Sequence, residues 1–102
     1  IANFTSLAER LGPQETVTLL NEYFSEMVEV IFEHGGILDK YIGDAIMAVF
    51  GAPLSSAHDA DNAVRTAIRM QQVLVSFNAR RAQAGAPPLD MRIGINSGSV
   101  VA

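Results

Sequence analysis

The sequence predicts an α+β domain, and three observations carry that prediction. Two stretches show apolar residues at helical spacing. Two short apolar segments flank a Gly43-Asp44 dipeptide, and a later run alternates apolar and polar residues strictly. The predicted order is helix, strand, strand, helix, strand. A strand ending just before residue 1 would complete β-α-β-β-α-β, the ferredoxin-like unit, in which helices cover one face of a mainly antiparallel sheet. The other face would then be free for a ligand or a partner.

Taken in order, residues 5–11 are predicted to form a short helix capped by Thr5 or Ser6, which Gly12-Pro13 breaks. Pro13 suits the first turn of a second helix, where its missing N–H costs nothing. That helix is expected to reach about Glu33, because Val17, Leu20, Phe24, Met27, Val28 and Ile31 form one apolar stripe and Gly35-Gly36 stops it. Strands are predicted at 37–42 and 45–50, ended by Gly51-Ala52-Pro53. Ser56 and Asp59 resemble a capping box for a long helix over 57–83, with Val64, Ile68, Leu74, Val75 and Phe77 inward. A loop at 84–88 leads to the alternating run, in which Leu89, Met91, Ile93 and Ile95 interleave with Asp90, Arg92, Gly94 and Asn96. Ser97-Gly98 then turns the chain.

Size and charge exclude several classes. The 102 residues hold one domain at most, and 49% hydrophobic residues are enough for a core. Cysteine is absent, which removes disulfides, thiolate metal sites and cysteine nucleophiles together. The net charge is −4 and the basic residues are scattered, so a nucleic-acid footprint is not expected. No apolar run is long enough to span a membrane and no signal-peptide pattern opens the chain. The lack of cysteine fits a cytoplasmic setting, which a membrane tether elsewhere in the parent protein would still allow. There is no Gly-rich phosphate loop of the Walker type and no Rossmann fingerprint. His34 and His58 read as capping or surface residues, Ser97-Gly98-Ser99 as a turn, and Met27, Met47, Met70 and Met91 as packing. Both ends are abrupt, and the chain reads as a piece of a longer protein, a domain truncated at both ends.

The run from Asp39 to Gly51 carries the chemistry. Gly-Asp between apolar segments signals a two-residue hairpin, since glycine tolerates the positive φ that a tight turn demands. The turn sets the Asp44 carboxylate at a tip, where it suits a hard metal ion, and Lys40 lies within the strand leading to it. Taken alone, the same residues also fit an ordinary turn and a solvated edge lysine.

The string Lys40 to Gly51 closely resembles the metal-binding hairpin of the class III nucleotidyl cyclases, the adenylate and guanylate cyclase catalytic domain family. Arg92 to Gly98 resembles the strand and turn that follow the family's long helix. Ile1 to Thr5 resembles the end of its first strand and the following loop. The resemblance covers nearly the whole chain, so that residues 1–102 read as part of one such catalytic domain, and it implies an adenylate cyclase of bacterial type, working in signal transduction. It implies that Asp44 and the backbone carbonyl of Ile1 bind metal, and that Asn3, Phe4 and Thr5 hold the triphosphate. A second metal aspartate would immediately precede Ile1. Two Mg²⁺ or Mn²⁺ ions would assist attack of the ribose 3′-hydroxyl on the α-phosphorus of ATP, releasing pyrophosphate.

Lys40 matches the purine-reading position. An ammonium only donates, which suits the N1 acceptor of adenine, whereas guanine offers N1–H there. Asn3 stands where many members carry Gly, and Ser99 where some carry Arg. The family's second purine-selecting residue and its transition-state Asn and Arg match nothing here, so the 102 residues alone are expected to be inactive. Members work as dimers with sites at the subunit interface, so a homodimer is expected. A guanylate cyclase and a catalytically degenerate dimerisation or regulatory module are the alternatives. A diguanylate cyclase is disfavoured, because Ala45-Ile46-Met47 follows the Gly-Asp turn in place of its signature.

Overall fold

The computed structural model describes residues 1–51 and 57–98. Helices α1 (Phe4–Leu11) and α2 (Pro13–Glu33) are followed by strands β1 (Ile37–Ile42) and β2 (Ala45–Val49) and by helix α3 (Asp59–Gln83). The α+β class is as predicted. The two strands pair antiparallel, and α2 packs on one face of the hairpin.

The element ends follow local chemistry. Helix α1 starts one residue earlier than expected, and its cap is Asn3 in the left-handed conformation (φ 56) with no side-chain cap bond, so neither Thr5 nor Ser6 caps it. Asparagine tolerates that conformation better than most residues. Pro13 takes the first position of α2. At the other end of α2 the Gly36 N–H donates to the Ile31 carbonyl (2.9 Å) and the Gly35 N–H to that of Phe32 (3.2 Å), closing a Schellman motif with Gly35 at φ 83. His34 caps as anticipated: its ring Nδ1 lies 2.8 Å from the Val30 carbonyl. Helix α3 begins at Asp59 with His58 at its cap; Ser56, the other half of the expected capping box, lies outside the described residues.

The core sits between the helices and the inner face of the hairpin. Leu19, Tyr23, Met27, Val30 and Ile31 of α2 meet Met70, Leu74 and Phe77 of α3, with Leu7, Leu89 and Met91 closing the cluster. This differs from the expected faces. The α2 stripe is rotated, leaving Val17 exposed and Phe24 half-buried, and α3 turns Val64, Ile68 and Val75 outward. Both helices carry apolar residues on more than one face, and the partner decides which face is used. Thr66 takes a core position on α3 and satisfies its hydroxyl on the Asn62 carbonyl at 2.7 Å. Of the four methionines Met47 is not packing, since it lies exposed on the outer face of β2.

The strand expected after α3 is not formed among the described residues: Leu89 and Met91 of this run are buried and Asp90 and Arg92 exposed, but Ile95, expected inward, is 51% exposed. The run forms no ladder with another strand among the described residues. Side-chain amides of α3 serve its backbone instead. Asn78 both donates to the Leu89 carbonyl (2.9 Å) and accepts from the Leu89 N–H (2.8 Å), and Gln71 donates to the Met91 carbonyl (3.0 Å). The Ala2 N–H reaches the Asp90 carbonyl at 2.8 Å, which ties the first residues to this segment.

Candidate active site

The hairpin tip is built as the sequence predicts. Ile42 pairs with Ala45, leaving Gly43 and Asp44 as a two-residue loop. Gly43 adopts φ 58 and Asp44 is not among the positive-φ residues, so glycine is needed only at the first loop position. A short loop of this kind holds the Asp44 carboxylate rigidly.

Asp44 points back toward the start of its own chain. Its Oδ2 lies 3.0 Å from the nitrogen of Ile1, whose side chain is fully buried, while the Asp44 side chain is 28% exposed. In a chain that continues before Ile1 this nitrogen is an amide and the contact a hydrogen bond, without the full charge of an amine. Beneath them Tyr23 of α2 is buried. Burial, and then the negative charge of Asp44, push its phenol up to about 12. The two residues expected to share a metal, Asp44 and Ile1, are thus in contact.

The next residues continue this corner of the molecule. Asn3 and Thr5 are exposed and Phe4 is half-buried at the start of α1, whose first turn carries no acidic side chain. Free N–H groups at a helix start, with no carboxylate beside them, suit phosphate oxygens.

Lys40 is elsewhere. It pairs with Met47, and its side chain is 59% exposed on the outer face of the hairpin. Inner-face residues Ile46 and Ala48 pack on the core. One short hairpin therefore presents its two predicted functional groups in different directions, Asp44 toward Ile1 and the helices, Lys40 away from them.

Among the described residues no three His, Cys, Asp or Glu side chains gather as a metal cluster. Asp44 and the Ile1 main chain are nevertheless the hard oxygen donors that Mg²⁺ and Mn²⁺ prefer, so the residues present fit part of such a site. Tyr23 was not legible as a neighbour of this site, because a tyrosine at core spacing carries no local signal of what its hydroxyl faces. Ser99 lies outside the described residues.

The family model described as "Adenylate and Guanylate cyclase catalytic domain" matches residues 1–102. The chain belongs to that family. It is 42% identical over 105 residues to an adenylate cyclase of Anabaena cylindrica, covering 99% of this chain and 20% of the relative. Adenylate cyclase 1 of Rhizobium meliloti is 34% identical over 101 residues, covering 99% of this chain and 15% of the relative. The chain thus spans a small part of the length of the relatives it matches. Among solved structures, the guanylyl cyclase Cya2 matches with a TM-score of 0.80 and 42% identity, over 86% of this chain and 45% of that one. The adenylyl cyclase CyaB from P. aeruginosa matches with a TM-score of 0.80 and 31% identity, over 86% of this chain and 46% of that one. Relatives named for each nucleotide are therefore similar to this cyclase domain.

Proposed function

We propose that this cyclase domain segment is part of an adenylate cyclase that converts ATP to cyclic AMP and pyrophosphate at sites shared by two copies of the chain. The observation that carries the reading is the divergence of Lys40 and Asp44. A single copy directs Asp44 to the Ile1 corner and leaves Lys40 on the open face. Four residues of strand cover only about 13 Å, so sequence spacing alone does not separate the two groups. A homodimer in which the Lys40 of one copy meets the Asp44 corner of the other accounts for both directions. No helix of the described residues is long and apolar enough to cross a membrane.

In this reading Asp44 and the Ile1 carbonyl hold the divalent ions, Mg²⁺ or Mn²⁺. Bound there, such ions lower the pKa of the ribose 3′-hydroxyl and offset the charge that develops on pyrophosphate. The start of α1 at Asn3, Phe4 and Thr5 receives the phosphates through backbone N–H groups. Lys40 donates to N1 of adenine, which favours ATP over GTP. The 42% identity to the guanylyl cyclase Cya2 keeps GTP as the second reading, and comparing ATP with GTP turnover separates the two.

Mixing two dead variants tests the shared site. In the full-length protein Lys40→Ala and Asp44→Ala homodimers should each be nearly inactive. Random mixing makes about half the dimers mixed, each with one intact site of two, so activity should return to roughly a quarter of wild type. The measurement is ATP turnover after co-expression, with mass spectrometry showing that mixed dimers are present. A mixture as inactive as its components places both residues in a single-chain site and ends the two-copy reading.

A further inference from the structure

Strand β1 changes phase in its middle. Leu38 pairs with Ala48 and Tyr41 with Ile46. Ile46 and Ala48 both pack against the core, and the Tyr41 ring stacks on Phe24 of α2 with 4.4 Å between centroids. Leu38 and Tyr41 therefore both face the helices, although residues three apart lie on opposite faces of a regular strand. The register shift between Leu38 and Lys40 supplies the missing step: Asp39 has no partner across the ladder, and Lys40 stands opposite Met47. Two residues facing one is a β-bulge, a device that re-aims side chains.

The bulge puts consecutive residues on the same face. Asp39 and Lys40 both stand outward, and Asp39 Oδ2 lies 3.9 Å from Lys40 Nζ. In an unbroken strand their side chains would diverge to opposite sides of the sheet. Among the described residues no other carboxylate pairs with Lys40, and its cross-strand neighbour Met47 offers no competing polar group. Both side chains are largely solvated, so the pair adds little to stability. Its effect falls on direction: a lysine ammonium rides on a flexible four-carbon stem, and a carboxylate on a short stem beside it narrows where the ammonium goes.

We infer that Asp39 is a positioning residue for Lys40, set beside it by the β-bulge so that the ammonium is held where it reads the purine. This rests on the proposed base-reading role of Lys40 and deepens it. Asp39 touches neither substrate nor metal in this account, and it acts through Lys40 alone.

The test is steady-state kinetics of the full-length protein with ATP and with GTP, for wild type, Asp39→Asn, Asp39→Glu and Lys40→Ala. Asp39→Asn should raise KM for ATP about three- to fivefold, in line with the modest strength of a solvated ion pair. It should leave kcat within about twofold, since binding is affected equally in ground and transition states. The preference for ATP over GTP should fall by the same factor as KM rises, and Asp39→Glu should restore most of it. If Asp39 only shaped the hairpin, both nucleotides would suffer alike and the preference would stand unchanged, which overturns the inference. Kinetics identical to wild type overturn it equally. Lys40→Ala, nearly inactive and therefore read from its residual turnover at high enzyme concentration, separates the role of Asp39 from that of Lys40. If it abolishes the preference while Asp39→Asn preserves it, only the role of Asp39 fails. If Lys40→Ala itself keeps the preference, base reading by Lys40 fails and the role of Asp39 goes with it.

Discussion

The helical layer and the hairpin are built to opposite rules. In the layer α2 and α3 interlock through Met27, Ile31, Leu74 and Phe77, all buried, with the Tyr23 ring edge-on to Phe77 at 6.3 Å. Arg80 ties the helices at the rim through both carboxylate oxygens of Glu26, at 2.6 Å each. The hairpin has one face on this core and the other open, where Ile37, Ile42 and Met47 remain exposed around Lys40. The buried contacts are concentrated in the first region and the proposed chemistry in the second, and the Ile1–Asp44 contact lies at the seam between them. Substitutions in the two regions should therefore separate folding from turnover.

The largest effect on folding is expected at Met27, which is fully buried. Met27→Ala should cost about 2–5 kcal/mol, from lost burial and the cavity left behind. Urea unfolding checks this, and turnover per folded molecule should hold. Turnover that falls well beyond the folded fraction would show that the layer also shapes the site.

Asp44→Asn should do the reverse. Asparagine keeps the shape and tolerates turns, so circular dichroism and the unfolding midpoint should barely change. Turnover of the full-length protein should fall at least about a hundredfold, the scale of losing a group that organises charge in the transition state. Near-normal turnover in a folded variant would reduce Asp44 to a turn residue.

Tyr23 spans the seam, and its effect depends on pH. Its phenol ionises at about 12 in the fold, against an ordinary 10, first through burial and then through the charge of Asp44. The folded-state value is raised, so the stability it contributes is fully present below pH 10. That contribution is lost as pH rises toward 12, by on the order of 2 kcal/mol. Unfolding midpoints at pH 9 and pH 11.5 should show the loss, and Tyr23→Phe should flatten it relative to wild type. An equal loss in Tyr23→Phe would assign the alkaline sensitivity to another group.

The smallest effect is expected on the outer side of α3. Val75 is 71% exposed, and Val75→Ser should move stability by no more than about 0.5 kcal/mol. A larger change in the full-length protein would mean that this side of α3 is covered there.

The elements were legible because their signals are local. Pro13 after Gly12, the Gly35-Gly36 stop and the Gly43-Asp44 turn act through their own backbone preferences, and each stands where the sequence placed it. Facing was less legible, because it depends on partners far away in the chain. Val64, Ile68 and Val75 are as apolar as the core residues of α3, yet Met70, Leu74 and Phe77 are the ones that α2 covers. The run from Leu89 reads as a strand in the sequence, but only Leu89 to Arg92 keep the buried-exposed alternation; laddering needs a neighbouring strand, and the backbone bonds go to Asn78, Gln71 and Ala2. At the site, Asp44 announced itself through its turn. The bulge at Asp39 left only a faint trace, the odd spacing between Leu38 and Tyr41, which looks like noise until the register is known.

The adjacent glycines after α2 are there for different reasons. Gly35 has φ 83 and open space, its would-be Cβ no closer than 3.7 Å to the Asn62 amide. A methyl group on Gly36 would meet the Phe50 ring at 2.7 Å and Ile31 Cγ2 at 2.8 Å, where the helix end and both strands converge. The first glycine answers a problem of handedness and the second a problem of volume. A mirror-image alanine introduced by chemical synthesis favours the positive φ that Gly35 adopts and, by restricting the unfolded chain, should tighten the fold. Natural alanine at position 36 has no such escape, because no backbone preference makes room for a methyl group between Phe50 and Ile31.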